Sequence, residues 1–356
     1  MKPFFSIIMA CCDVEPYIRE SLDSVMKQSF GSWECICGIE DSKDNTEVMI
    51  REIAQTEPRI RVFKHPRSGS CSATRNVGTD MAQGEYVIYL DGDDTLEQES
   101  LARIAAKINA RPGADLYPGV VVAYTEGTDK RELRENYPPE SSPAEMTGVE
   151  ATILLDRLWH GSFCPMLQLT VFRREFLIGH DLKCIYGLRR QDSEFSPRAL
   201  YLAQRVVPIH EPFYLYRIRV NSVSTAAKGA GYFHKDWAII QRSLLAFHAE
   251  VSKAPSFDRR VSACWARHWI QRIFYFWFSP RSIADIPRQR RLETLNVLFE
   301  NGFDDFFALA GCVSRSKRTA MGWVRMFVKH PSLRWLAELL FKSYFALSAM
   351  RHDQKG

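Results

Sequence analysis

Four short apolar runs, each but the last followed by a segment with helical spacing, fill the first ninety residues and leave few folds open. "FFSIIMACC" (4–12) reads as a short buried strand, and "WECICGI" (33–39), "IRVFKHP" (60–66) and "EYVIYL" (85–90) as a second, third and fourth strand. Between them, "PYIRESLDSVMKQS" places Ile18, Leu22, Val25 and Met26 on one helical face, with Pro16 suited to a first turn. "NTEVMIREIAQ" gives a second helix, and "SATRNVGTDMAQ" a third that ends at Gly84. A βαβαβαβ series of this kind builds a mostly parallel sheet covered by helices. Ligands of such sheets bind outside the carboxyl ends of the strands. The acidic residues collect at those ends: Asp13 and Glu15 after the first strand, Glu40, Asp41 and Asp44 after the second, Asp91, Asp93 and Asp94 after the fourth. Three acidic loops on one edge predict one site.

At 356 residues, 46% of them hydrophobic and 25% charged, the chain can bury one large domain or two smaller ones. The net charge of +5 is unevenly spread: residues 1–235 carry 28 basic and 32 acidic side chains, residues 236–356 carry 19 and 10. The two parts therefore meet different surroundings. The nine cysteines show no C-x-x-C pair and no histidines at zinc-ligand spacing, which points to a reducing cytosol without structural zinc. The chain enters a strand at once, with no secretory leader pattern, so its first residues are expected to belong to the fold. No run reaches the roughly 18 to 20 apolar residues of a spanning helix.

Residues 115–150, with "NYPPESSPAEM", read as a loop or flap. Residues 148–225 mix helix ("VEATILLDRLW"), strand ("MLQLTVF") and a second polar cluster, "LRRQDSEF". Beyond about 226, helical segments rich in Trp, Phe, Leu and Arg run to the end of the chain, and no internal repeat is visible.

"DGDD" (91–94) at the end of a buried strand can be an ordinary Asp-Gly turn. It is not a calcium loop, because Leu96 stands where that loop needs glycine. In a nucleotide-binding setting, Asp91 and Asp93, two residues apart around Gly92, can both face a divalent cation, Mn2+ or Mg2+, that bridges two phosphates. Ser70 and Ser72 beside Gly69 lack the Lys and spacing of a P-loop. His160, His180 and His210 are isolated in sequence and read as structural.

Taken together, "FSIIMACCDVEPYIRESLDSVMKQSFGSWECICGIEDSKDNT" and "HPRSGSCSATRNVGTDMAQGEYVIYLDGDD" resemble the nucleotide-sugar domain of glycosyltransferase family 2, the inverting GT-A fold. The similarity continues through "FRREFLIGHDLKCIYGLRRQDSEF" and "EPFYLYRIRVNSVS", covering roughly residues 3–225. It implies an α/β, Rossmann-like domain with a mostly parallel central sheet, followed by a helical C-terminal region. Residues 1–115 would bind the nucleotide sugar, 116–225 the acceptor, and 226–356 would form the helical region. The resemblance places Asp13 and Glu15 in the donor site, Glu40 and Asp41 beside the base, and Arg75 on the nucleotide. Asp91 and Asp93 fall on its D-x-D motif, which holds ribose and metal. Asp192 falls on its catalytic base, and Arg217, Arg219 or Ser222 near the diphosphate. The chain departs from the pattern at Ala10 for Pro, at "IED" for "DDG", and at Gln191 for Glu.

The chemistry is consistent with that assignment. Inverting transfer needs one carboxylate to take the acceptor proton, while a metal neutralises the leaving diphosphate. The expected function is therefore a metal-dependent inverting glycosyltransferase that uses a UDP-sugar, with a glycan or lipid-linked acceptor, in bacterial surface-polysaccharide synthesis. A sugar-nucleotide nucleotidyltransferase would carry a Gly- and Arg-rich loop after the first strand, which "CCDVEPY" lacks. A degenerate binding scaffold is kept open by Gln191 and "IED". In the C-terminal third, "WARHWIQRIFYFWF", "SLRWLAELLFKSYFAL" and the basic residues Arg315, Lys317, Arg318, Arg325 and Lys329 between them suit docking on anionic lipid from the cytoplasmic side. Packing on the catalytic core or on a second subunit of a homo-oligomer is the other reading. No motif for reading nucleic acid accompanies the charge.

Overall fold

The computed structural model describes residues 2–159, 166–219, 233–278 and 288–302, with 305 and 309. The chain divides into two units, Met1–Ala226 and Ala227–Gly356.

The first unit opens with β1 (Phe5–Cys11), α1 (Glu15–Met26), β2 (Trp33–Glu40), α2 (Thr46–Thr56), β3 (Ile60–His65), α3 (Ser72–Met81) and β4 (Tyr86–Asp91). There follow β5 (Thr95–Leu96), α4 (Ser100–Ala110), β6 (Leu116–Pro118), β7 (Val120–Thr125), β8 (Arg131–Glu135) and α5 (Gly148–Trp159). A 3-10 turn (Leu167–Leu169), β9 (Thr170–Arg173), α6 (Arg174–Gly179), α7 (Asp192–Leu202) and β10 (Pro212–Ile218) complete it. A six-stranded sheet runs β3-β2-β1-β4-β9-β6. Its first four strands are parallel, and β9 is antiparallel to both β4 and β6. All eight residues of β2 are buried, as a parallel strand covered on both faces requires, which is why Cys35 and Cys37 sit in the core.

Strand order reverses between β1 and β4: the chain first winds outward through β2 and β3, then returns to the other side of β1. In open sheets this switch point is where a crevice opens. The register pairs Ala10 with Asp91, so the acidic loops after β1 and β4 leave the sheet side by side.

The stretch 115–150 is not the loop it was expected to be. It supplies β6, β7 and β8, and a second sheet forms in the order β5-β10-β7-β8. The signal was masked because β8, "RELRE", is an exposed edge strand whose charges prevent further pairing, and because Pro118 and Gly119 interrupt the apolar run before β7.

The second unit contains α8 (Phe233–Val251), α9 (Arg259–Phe278) and α10 (Arg288–Glu300). Buried Gln241 ties them together: its amide donates to the Leu298 and Asn301 carbonyls, both at 2.8 Å, and accepts from the Trp269 indole at 2.9 Å. No described helix is long and apolar enough to cross a membrane. The basic stretch 315–329 and the segment 332–347 lie outside the described residues.

Two glycines serve close packing. A Cβ on Gly78 would stand 2.4 Å from Ile8, so α3 can lie directly on β1 only with glycine there. Gly84 does not end α3 in a left-handed turn, since the helix stops at Met81 and Ala82 is already extended. Instead it lets the chain pass the β1 backbone, where a Cβ would come within 2.5 Å of the Ser6 nitrogen. Its N–H donates to the Ser6 hydroxyl, which donates to Glu34; Glu34 also accepts from the Gln83 N–H and from Arg61. Gly84→Ala should therefore lower the unfolding free energy by about 1–3 kcal/mol in denaturant titration, the usual cost of overpacking. Gly31→Ala, with open space around it, should be neutral. Burial pushes the Glu34 carboxyl up, but Ser6, Arg61 and Gln83 outweigh it and hold it below its usual value near 4.5. A depressed carboxylate contributes stability above that pH and loses it as pH falls through the folded value. Glu34→Gln should flatten the acid limb of a stability-versus-pH curve below about pH 4.5.

Candidate active site

The loops after β1 and β2 form one wall. Asp13 sits at φ 51°, a left-handed conformation unusual for a residue with a side chain. That turn directs its carboxylate back to the Lys43 N–H at 2.7 Å and to Arg67, which also reaches the Cys12 thiol at 2.8 Å. Burial raises the Asp13 carboxyl, and those donors more than reverse it. Glu15 accepts twice from Asn45 at 2.9 Å, and so staples the start of α1 to that of α2. Glu40 is buried and accepts from Ser68, whereas Asp41 is exposed and faces Lys64 at 3.6 Å. Of the two carboxylates expected beside the base, Glu40 thus points inward and Asp41 outward.

The centre is built on α3 and β4. Arg75, 2% exposed, donates to Asp91 Oδ1 at 2.9 Å, and Gln168 Nε2 donates to Asp91 Oδ2 at 2.6 Å. Burial opposes the charge on Arg75, but Asp91, Cys71 and Asp192 keep it firmly protonated. The Cys71 thiol is pushed up by burial first, then by Asp91, with Asp192 adding to it. Asp192, the first residue of α7, therefore lies within electrostatic reach of the same guanidinium as Asp91. The approach to Asp192 hangs on α3: the Asn76 side chain clamps the Cys184 backbone with two 2.8 Å bonds, and the Gly187 N–H donates to Ser72 at 2.9 Å. Glu194 forms a buried pair with Arg198 at 2.6 Å.

The third wall comes from β10. The Asp91 N–H donates to the Tyr214 hydroxyl, which donates to buried Asp94 at 2.6 Å; Asp94 also accepts from the Arg217 N–H at 2.7 Å. Burial and the neighbouring Asp93 and Asp91 push the Asp94 carboxyl well up. The Arg217 guanidinium donates to the Asp93 carbonyl at 2.9 Å and to Glu20 at 2.6 Å, and lies 5.0 and 5.1 Å from the Tyr17 and Tyr124 rings. Arg219 donates to the Asp93 carboxylate at 2.8 Å. The Asp93 carboxyl is raised by burial and then by Asp91, against the pull of Arg219. Ser222 lies outside the described residues.

Asp13, Glu40, Arg75, Asp91, Asp93, Arg217, Arg219 and Asp192 thus come from six separated segments to one edge of the sheet or its immediate surroundings. Sequence reading assigned no role to Arg67, Asn76, Asp94, Gln168 or Tyr214. Asp94 was visible in "DGDD", and the alternation Arg217, Arg219 along β10 was legible. Nothing local distinguishes Asn76 or Gln168.

Among the described residues no group of three or more His, Cys, Asp or Glu side chains could hold an ion alone. Two carboxylates suffice where substrate phosphates complete the shell, as magnesium sites do. The raised Asp93 carboxyl, with Asp91 beside it, is the kind of oxygen pair that a divalent cation would relieve.

The model of glycosyl transferase family 2 matches residues 6–178. The uncharacterized glycosyltransferase EpsJ of Bacillus subtilis (strain 168) is 29% identical over 227 residues, 63% of this chain and 64% of its own length. The putative glycosyltransferase EpsH of the same organism is 27% identical, over 62% of each. The chain thus aligns with just under two thirds of these relatives. The crystal structure of S. aureus TarS 1-349 in complex with UDP-GlcNAc has a TM-score of 0.69 at 20% identity, over 96% of this chain and 91% of that one, a likeness of fold.

Arg75→Met leaves Asp91 and its acidic neighbours without their buried cation, and removing one partner of such a pair costs about 3–5 kcal/mol. Denaturant unfolding should show a loss of that order. Arg75→Lys should recover part of it, because lysine restores the charge but not the planar fork.

Proposed function

From the premise that the chain carries a glycosyl transferase family 2 domain over residues 6–178, with the GT-A fold described above, we propose that the protein is a metal-dependent inverting glycosyltransferase acting on a nucleotide sugar. The observation that supports this reading is that the buried Arg75 guanidinium donates to Asp91 at 2.9 Å and also feels the charge of Asp192. A donor-binding carboxylate and a separate carboxylate base within reach of one another are what inverting transfer requires.

In this reading Asp13, Glu15, Glu40 and Asp41 form the wall around the nucleoside, and Asp91 holds the ribose. Asp91 and Asp93 would hold a divalent cation, Mn2+ or Mg2+, which when bound supplies charge to the diphosphate. Arg217, Arg219 and Ser222 frame the diphosphate from the β10 side. Asp192 takes the proton of an acceptor hydroxyl as that oxygen bonds to the anomeric carbon; the carbon–oxygen bond to the diphosphate breaks, and the diphosphate leaves with the electron pair. Attack opposite the leaving group inverts the anomeric centre. Residues 116–225 would receive the acceptor, a glycan or lipid-linked glycan. Similarity to the minor teichoic acid biosynthesis protein GgaB of Bacillus subtilis (strain 168), 32% identical over 102 residues and 28% of this chain, supports a role in bacterial surface polysaccharides. The UDP-GlcNAc bound to TarS makes UDP the first nucleotide to test. A cytoplasmic site of action, with the basic C-terminal segments on anionic membrane or a second subunit, completes the proposal.

Calorimetric titration of UDP, GDP and dTDP with and without manganese tests it. UDP should bind with manganese, and Asp93→Ala should abolish the manganese dependence. Asp192→Asn should retain UDP binding while UDP release from a turned-over sugar nucleotide falls by about 10²- to 10⁴-fold, the usual contribution of a general base. Failure of all three nucleotides to bind would overturn the reading and favour a binding scaffold. Undiminished turnover by Asp192→Asn would remove the base assignment.

A further inference from the structure

Gln168 lies two residues before β9, 5% exposed, and its amide has a fixed orientation. Nε2 is 2.6 Å from Asp91 Oδ2, a distance that suits a donor against a carboxylate and would be repulsive for the carbonyl end. The other end, Oε1, is therefore turned away from Asp91, and it is buried with no hydrogen-bond partner among the described residues. Leaving a buried acceptor unmet costs about 1–3 kcal/mol, so such atoms are few and need a reason.

Two further unmet atoms belong to Arg75, which shares Asp91 with Gln168, and to Gln191, which precedes Asp192 in the chain. Arg75 Nε, on the guanidinium that binds the opposite oxygen of Asp91, has no acceptor; Gln191 Oε1, on the residue before Asp192, has no donor. Both side chains are 2% exposed. The unmet Gln168 acceptor beside Asp91 is complementary to a hydroxyl group, which can donate to it, and a hydroxyl can also accept from Arg75 Nε. A phosphate, which offers acceptors only, would leave Gln168 Oε1 unmet.

We infer that Gln168 is a donor-binding residue: its Oε1 accepts a hydrogen bond from a hydroxyl of the nucleotide sugar while its Nε2 holds Asp91 in place. This rests on the donor site proposed above. Two hydroxyl sources share that chemistry, the ribose and the transferred sugar. A site built to meet a hydroxyl discriminates strongly against an analogue lacking it, because the protein group is left buried and unpaired.

Dissociation constants of UDP, 2′-deoxy-UDP, 3′-deoxy-UDP, UDP-glucose and UDP-GlcNAc, with manganese, should be measured on the wild type and on Gln168→Ala. Circular dichroism and the unfolding midpoint of Gln168→Ala check that the variant is folded. A loss of about 3- to 10-fold, one hydrogen bond's worth, confined to the two sugar nucleotides would place the hydroxyl on the transferred sugar. A loss for UDP that disappears for one deoxy analogue would place it on the ribose. An equal loss for every ligand would overturn the inference, since Gln168 would then act only by holding Asp91; so would no loss at all. A wild type that binds none of the five would instead sink the donor-site reading itself, an outcome distinct from these.

Discussion

A single buried guanidinium is the interaction on which the arrangement depends. Without Arg75, the carboxylate that ends β4 would face a mostly buried Asp93 and a fully buried Asp94 with no cation of its own. Arg75 reaches Asp91 only because α3 lies flat on β1, and α3 lies there only because residue 78 has no Cβ to strike Ile8. The same helix carries Asn76 and Ser72, whose bonds to Cys184 and Gly187 suspend the segment leading to Asp192. One helix thus holds both Asp91 and the segment that leads to Asp192.

The second sheet braces the acidic turn. The Tyr214 hydroxyl accepts the backbone N–H of Asp91 and donates a hydrogen bond to Asp94, while Arg217 on β10 and Arg219 just after it reach Asp93. The three carboxylates of the acidic turn are nevertheless met by different donors: Asp91 by Arg75 and Gln168, Asp93 by Arg219, Asp94 by the Tyr214 hydroxyl and the Arg217 N–H. Asp91 is fixed from α3 and the 3-10 turn, Asp93 from the end of β10, and Asp94 from within the core. A surface turn of the same composition would satisfy its carboxylates with water; here that is impossible for Asp94, and its Tyr214 and Arg217 contacts replace the water.

Much of this architecture was legible because parallel strands buried on both faces leave uninterrupted apolar runs. Strands β1, β2 and β4 could be read that way, and β3, a partly exposed edge strand, from its place in the alternating series that also gave the helices and the edge bearing the acidic loops. The hairpin of β7 and β8 could not, because an exposed edge strand is selected for charge and so looks like loop. The acidic residues at strand ends were visible for a physical reason too, as carboxylates beside a buried run need something to offset them. Asn76, Gln168 and Tyr214 were invisible because an amide or a phenol carries no local signature. Their roles arise only when residues 108 and 123 positions away fold against them, as Cys184 does against Asn76 and Tyr214 against Asp91. Glu15, whose place after β1 suggested a ligand contact, also closes on Asn45 and so ties the two loops together.

The difference between Asp94 and Gln168 shows how such a site divides its polar groups. Asp94 is fully met by protein donors, so it stabilises the turn whether or not a ligand is present. Gln168, Arg75 and Gln191 are each met at one end or through the backbone and left open at one buried atom. Open atoms lower the stability of the unliganded protein, and a ligand that satisfies them restores it in proportion to the logarithm of its occupancy. Repairing them within the protein, by supplying internal partners, would remove the preference for a hydroxylated ligand at the same time. The groups that hold the scaffold and those that face the ligand can therefore be separated by one criterion, whether the folded chain alone completes their hydrogen bonds.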